Sequence, residues 1–82
     1  MMNRTITFYT DGDTSTNQFV ELLQNITGRP VSHHDKTRSP INGRPYVSVR
    51  IHGVTATKFA TVRQNRNVIA LKRAGFIRSF TS

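Results

Sequence analysis

Tyr46, Arg50 and His52 alternate with Val47, Val49 and Ile51 in one short segment, which puts a phenol, a guanidinium and an imidazole on the same side of an extended chain. Such a side suits an anionic polymer. The Tyr46 ring can stack on a base, while Arg50 and His52 can meet phosphates or base edges. Arg63, Arg66 and Arg73 recur at i, i+3 and i+10, close to one helical face, with Lys72 beside Arg73. Arg38 and Arg44 stand in the segment before the strand. Arg38, Arg44, Tyr46, Arg50, His52, Arg63, Arg66, Lys72 and Arg73 therefore form the candidate binding set, spread over a loop, a strand and a helical segment.

The distribution of charge supports that use. The 82-residue chain carries a net charge of +8. In residues 1–27, Arg4 stands against Asp11, Asp13 and Glu21, a net of −2; from Gly28 onward eleven basic side chains face only Asp35, a net of +10. Nine of the twelve cations are arginines, and the planar guanidinium fork grips phosphate and guanine edges in a bidentate manner where lysine acts as a point charge. The expected function is non-enzymatic binding of nucleic acid, DNA or RNA, mainly through phosphate contacts. Neutralising about five phosphates on duplex DNA predicts a log–log salt slope of about −4 to −5.

The alternative partner is an acidic protein surface. In that reading the chain is a small accessory inhibitor or adaptor of the viral or mobile-element type, which blocks a site where nucleic acid normally binds. A solvated basic face that only keeps the chain in solution is the plainest use of the same charge.

Catalytic chemistry finds little material. Asp11-Gly12-Asp13-Thr14, after a predicted strand, resembles the first motif of haloacid-dehalogenase-type phosphatases, which implies Asp11 as nucleophile and Asp13 as acid/base. The resemblance covers four residues; the preceding strand is Thr-rich, and no later acidic pair is left to hold Mg²⁺. A polar turn feeding a helix N-terminus, where Asp is favoured, is the preferred reading. His33, His34 and Asp35 are consecutive metal-ligand types, but neighbours on a loop seldom converge on one ion. The chain has no cysteine, which removes disulfides, thiolate zinc sites and thiol catalysis together. No catalytic residue, metal or cofactor is expected.

No stretch reaches the length of a membrane span, and the one clean amphipathic helix is not basic, so membrane attachment is not expected and a cytoplasmic location is. A chain this short builds a marginal core, which association into a homodimer would complete.

The elements that must position these residues can be read from periodicity. Thr5–Thr10 alternates, with Ile6 and Phe8 on one side and Thr5, Thr7 and Tyr9 on the other, as a half-buried strand does. Ser15 and Gln18 have capping-box spacing, which predicts a helix from near Thr16. Phe19, Leu22, Leu23 and Ile26 form its apolar stripe, and Gly28 with Pro30 stops it. Residues 29–45, with three prolines and paired histidines, read as a long basic loop in which Asn42-Gly43 could close a hairpin confined to a short edge.

Tyr46–His52 is the second strand, ended by Gly53. Thr55 caps a helix and Gly75 ends it, with Lys72 and Arg73 in the last turn. One straight helix over 55–74 would set Arg66 and Arg73 among Phe59, Val62 and Ile69, so a break in the run Gln64-Asn65-Arg66-Asn67 is expected, with Asn67 capping a second helix. A strand over Val68–Lys72 ranks below that. Read as a DNA-binding helix-turn-helix, the pair would send Asn67, Lys72 or Arg73 into a major groove. Phe76–Phe80 closes the chain as a strand.

The predicted fold is a single α+β domain over 1–82 in the order β-α-β-α-β, with a small sheet of about three strands packed by helices on one face. The predicted core is Ile6, Phe8, Phe19, Leu22, Leu23, Ile26, Val47, Val49, Ile51, Phe59, Val62 and Ile69.

Overall fold

The alternation of Val47, Val49 and Ile51 gives one strand a fully buried side, and the rest of the chain is arranged around that side. In the computed structural model, which describes residues 2–81, the chain runs β1 (Met2–Tyr9), α1 (Asp13–Thr27), β2 (Val31–His33), β3 (Thr37–Arg38), β4 (Pro45–Val54), α2 (Ala56–Gln64), α3 (Arg66–Arg73) and β5 (Ile77–Thr81). The strands form one antiparallel sheet in the order β2-β4-β1-β5, with β3 also paired to β4. All three helices contribute to a single core against one face of it. The α+β class is the predicted one, but the sheet has five strands where about three were expected.

The extra strands come from the segment read as a loop. Val31–His33 pairs with Val49–Ile51, and Thr37–Arg38 pairs with Pro45–Tyr46, so β2 and β3 lie end to end along the same side of β4. Between the pairs His33↔Val49 and Thr37↔Tyr46 the edge advances four residues against three on β4, a one-residue bulge. Periodicity misses such strands because they are short, exposed and interrupted. The Asn42-Gly43 turn does close the β3–β4 hairpin: Gly43 takes φ +70°, and Asn42 Oδ1 accepts from the Arg44 amide at 3.0 Å.

Gly53 does not end β4. It lies within the strand at φ +64°, where one residue of β1, Asn3, opposes two of β4, His52 and Gly53, between the pairs Met2↔Val54 and Arg4↔Ile51. The Gly53 amide donates to Asn3 Oδ1 at 3.0 Å, and this bulge lets the strand continue to the buried Val54.

At the start of α1 the expected capping box is absent. Gly12 is the cap residue, and no side chain caps the first turn. The buried Thr10 hydroxyl instead accepts from the Gly12 amide at 3.1 Å and donates to the Gly12 carbonyl at 2.6 Å, which starts the helix three residues earlier than predicted, at Asp13. Gly28 ends the helix as expected, at φ +65° with its amide on the Gln24 carbonyl.

The helical segment over 55–74 breaks as predicted, but the cap is Asn65 and not Asn67. Asn65 Oδ1 accepts from the amides of Asn67 and Val68 at 2.9 and 3.3 Å, so the first turn of α3 begins one residue after α2 stops. This one-residue joint differs from the three- to four-residue turn of a DNA-binding helix-turn-helix. The break also rotates α3, so that Val68 is fully buried while the predicted core residue Ile69 is 36% exposed. Leu22 and Ile26 pack at the margin of the core, and Val54 and Ile77 join its centre.

Phe8 stacks on Phe19 with ring centroids 4.3 Å apart, tying β1 to α1. Among the described residues no helix is long and apolar enough to cross a membrane.

The cap assignment has a measurable consequence. Asn65→Ala should lower unfolding free energy by about 1 kcal/mol in urea titrations, whereas Asn67→Ala should change it by less than about 0.5 kcal/mol. The reverse ranking would place the helix break elsewhere.

Candidate nucleic-acid interface

A strand that buries every second residue must turn the others away from the core, and among the described residues all three helices pack on the core side of the sheet. β4 presents Tyr46, Ser48, Arg50 and His52 there, and their register partners on β1 are Tyr9, Thr7 and Thr5 opposite Tyr46, Ser48 and Arg50. β2 adds Ser32 opposite Arg50, β3 adds Thr37 opposite Tyr46, and β5 adds Ser79 and Thr81. The face is made of hydroxyls, two tyrosines, one guanidinium and one imidazole, without one aliphatic side chain among these residues. None of the five strands carries a carboxylate; the acids lie at the β1–α1 turn, on α1 and between β2 and β3.

A third bulge sets the density of charge here. Thr7 pairs with Ser79 and Phe8 with Ile77, which leaves Arg78 as the extra residue on β5. Its guanidinium carbon lies 5.9 Å from the centre of the Tyr46 ring, so Arg78 and Tyr46 share this face. Tyr9 and Tyr46 stand side by side as a cross-strand pair. Arg44 covers the Tyr9 ring with its guanidinium carbon 4.3 Å from the ring centre, and its Nη1 donates to the Gly75 carbonyl at 3.3 Å. Tyr9 is consequently only 9% exposed, while Tyr46 is half-buried with a cation beside it.

His52 Nε2 and Ser32 Oγ are 2.7 Å apart, which fixes the imidazole next to the exposed Arg50. Arg38, Arg44 and Arg29 donate to backbone carbonyls of Gly43, Gly75 and His52, and those bonds hold the side chains in place without neutralising them.

The nine residues expected to form one surface are divided by the sheet. Tyr46, Arg50 and His52 share the uncovered face, Arg44 closes one end of it, and Arg38 lies at the base of the β3–β4 hairpin. Arg63, Arg66, Lys72 and Arg73 belong to the helical layer on the opposite side. There Arg63 and Lys72 line one depression with Phe80, Arg66 and Arg73 line another with Ile69, and Gln64 borders both. The i, i+3, i+10 stripe does not exist as a single helical face, because α2 and α3 diverge at Asn65.

The candidate binding set omits Tyr9 and Arg78. Tyr9 follows the same alternation as Thr5 and Thr7 and was legible as a face residue. Arg78 depends on a bulge, for which the sequence carries no signal.

Asp11 Oδ1 accepts from the Ser15 hydroxyl at 3.0 Å, and Asp13 stands in the first turn of α1. Among the described residues, no three His, Asp or Glu side chains are grouped to hold a metal ion.

Fold and site together define the chain as a two-layer α+β protein with one bare, cationic sheet face. Comparison with protein-family models, with curated proteins and with solved structures finds no match.

The two arginines at this face differ in what they do for the fold. Arg44→Ala should cost about 0.5–1 kcal/mol of stability through loss of its contact with Tyr9. Arg50→Ala, at an exposed position, should cost less than about 0.5 kcal/mol. Thermal or urea unfolding of both variants checks the difference, and equal losses would mean that Arg50 is held by the fold.

Proposed function

We propose that this protein is a non-enzymatic nucleic-acid-binding module whose principal surface is the uncovered sheet face, and that its ligand is single-stranded. The observation that carries the reading is the juxtaposition of Tyr46, Arg50 and Arg78 on a sheet face without a carboxylate. Base stacking on a tyrosine requires unstacked bases, which a single strand offers and an intact duplex does not. Arg44, Arg50 and Arg78 supply phosphate contacts along the strand, and the Ser and Thr hydroxyls supply neutral donors to phosphate and sugar oxygens. A cytoplasmic location belongs to the same proposal.

An acidic protein surface is the second reading, and one feature favours it. Ile41 is 81% exposed at the tip of the β3–β4 hairpin, between Arg38 and Arg44. An apolar tip flanked by cations fits a protein groove with an acidic rim. A stoichiometric protein partner that survives nuclease treatment of a lysate would support this reading over the first.

Fluorescence anisotropy of labelled single-stranded DNA, RNA and duplex DNA tests the proposal. With three or four phosphates neutralised, single-strand affinity should fall with a log–log salt slope of about −2 to −3. Arg50→Ala with Arg78→Ala should weaken binding by at least about tenfold and reduce the slope. Tyr46→Ala should weaken single-strand binding by about 1–3 kcal/mol while leaving the slope unchanged. Salt-insensitive binding, or binding unaffected by all three substitutions, would overturn the assignment.

A further inference from the structure

We infer that the depression between α2, α3 and β5 is a separate binding site for a nucleoside monophosphate. Phe80 pairs with Ile6 in the sheet, so its side chain points into the helical layer, yet the ring is only half-buried. Two cations converge on it from different helices: Arg63 Cζ lies 5.7 Å and Lys72 Nζ 5.4 Å from the ring centre. With Ala60 and Gln64 they line an open depression of about 310 Å³. That volume is at the small end of ligand sites and suits one nucleotide unit.

Positive charge at this place exceeds what the fold compensates. Phe59 meets Phe80 edge to face at 6.1 Å, and Arg4 lies 5.6 Å from the Phe59 ring with its Nε buried and without a hydrogen-bond partner. Three cations thus surround one pair of aromatic rings, and neither α2, α3 nor β5 contributes a carboxylate. Like charges so placed favour a bound anion. An aromatic ring beside that anion site favours a ligand with a flat, stacking part. The Gln64 amide, with donor and acceptor side by side, is suited to a base edge. A phosphate between Arg63 and Lys72, with its base on Phe80, satisfies all three features.

The site faces away from the uncovered sheet face, so its occupancy does not depend on the strand-binding surface. The ligand has two sources, a free nucleotide or the phosphorylated end of a strand.

Amide NMR titration of the whole protein with nucleoside monophosphates, inorganic phosphate and unphosphorylated nucleosides decides the matter. The monophosphate should saturate, with shifts at residues 60–64, 72 and 80, and bind at least about tenfold more tightly than phosphate or nucleoside alone. Arg63→Ala with Lys72→Ala should weaken it by about tenfold or more. Ala60→Leu, which fills the depression and keeps every charge, should also abolish it. Arg50→Ala with Arg78→Ala should leave it unchanged, which separates this site from the sheet face. A single strand bearing a 5′-phosphate that outcompetes its unphosphorylated form would identify a strand end as the source; equal competition would identify the free nucleotide. No saturation by about 10 mM, inorganic phosphate binding as tightly as the monophosphate, or full binding by Ala60→Leu would overturn the inference.

Discussion

Burial of one side of β4 is the constraint from which the rest of the structure follows. Val47, Val49 and Ile51 are almost completely removed from water, and each such side chain contributes about 1.5–3 kcal/mol by burial. Slipping the register by one residue would exchange them for Tyr46, Ser48, Arg50 and His52, placing charge in the core and aliphatic groups in solvent. Strand register, helix placement and the composition of the outer face are therefore one decision. The outer face is the complement of the core, written in the same seven residues.

Three bulges modify that alternation, and each has a local result. The one at Gly53 lets β4 bend and still bury Val54. The one between β2 and β3 sets Thr37 opposite Tyr46. The one on β5 adds Arg78 to a face that strict alternation would have left with fewer cations. In the helical layer the single-residue joint at Asn65 plays a comparable part, because it buries Val68 and leaves Arg63 and Lys72 free to approach Phe80.

Elements with strong period were legible in the chain: the β1 and β4 alternation, the α1 stripe with its Gly28 stop, and the caps at Thr55 and Gly75. What escaped were features decided by tertiary pairing. β2 and β3 are too short and too exposed to show alternation, and the Thr10 network replaced a capping box that local spacing favoured. Ile69 shares a face with Phe59 and Val62 only on one continuous helix, and the break at Asn65 ends that continuity, so Val68 takes the buried place. The candidate residues were found by type and charge, but charge carries no information about which side of a sheet a residue occupies. Tyr46 and Arg63 were thus joined in one surface that the sheet divides.

The central claim is that nucleic acid lies on the bare sheet face, with a base against Tyr46. Photo-crosslinking of a 5-bromouridine-substituted single strand, followed by mass spectrometry of the digested protein, locates the contact without altering any side chain. The claim predicts that crosslinked peptides come from β4, at Tyr46, with lesser adducts on the adjoining β1 and β5 strands. Crosslinks confined to α1, or found only on the α2–α3 layer, would contradict it.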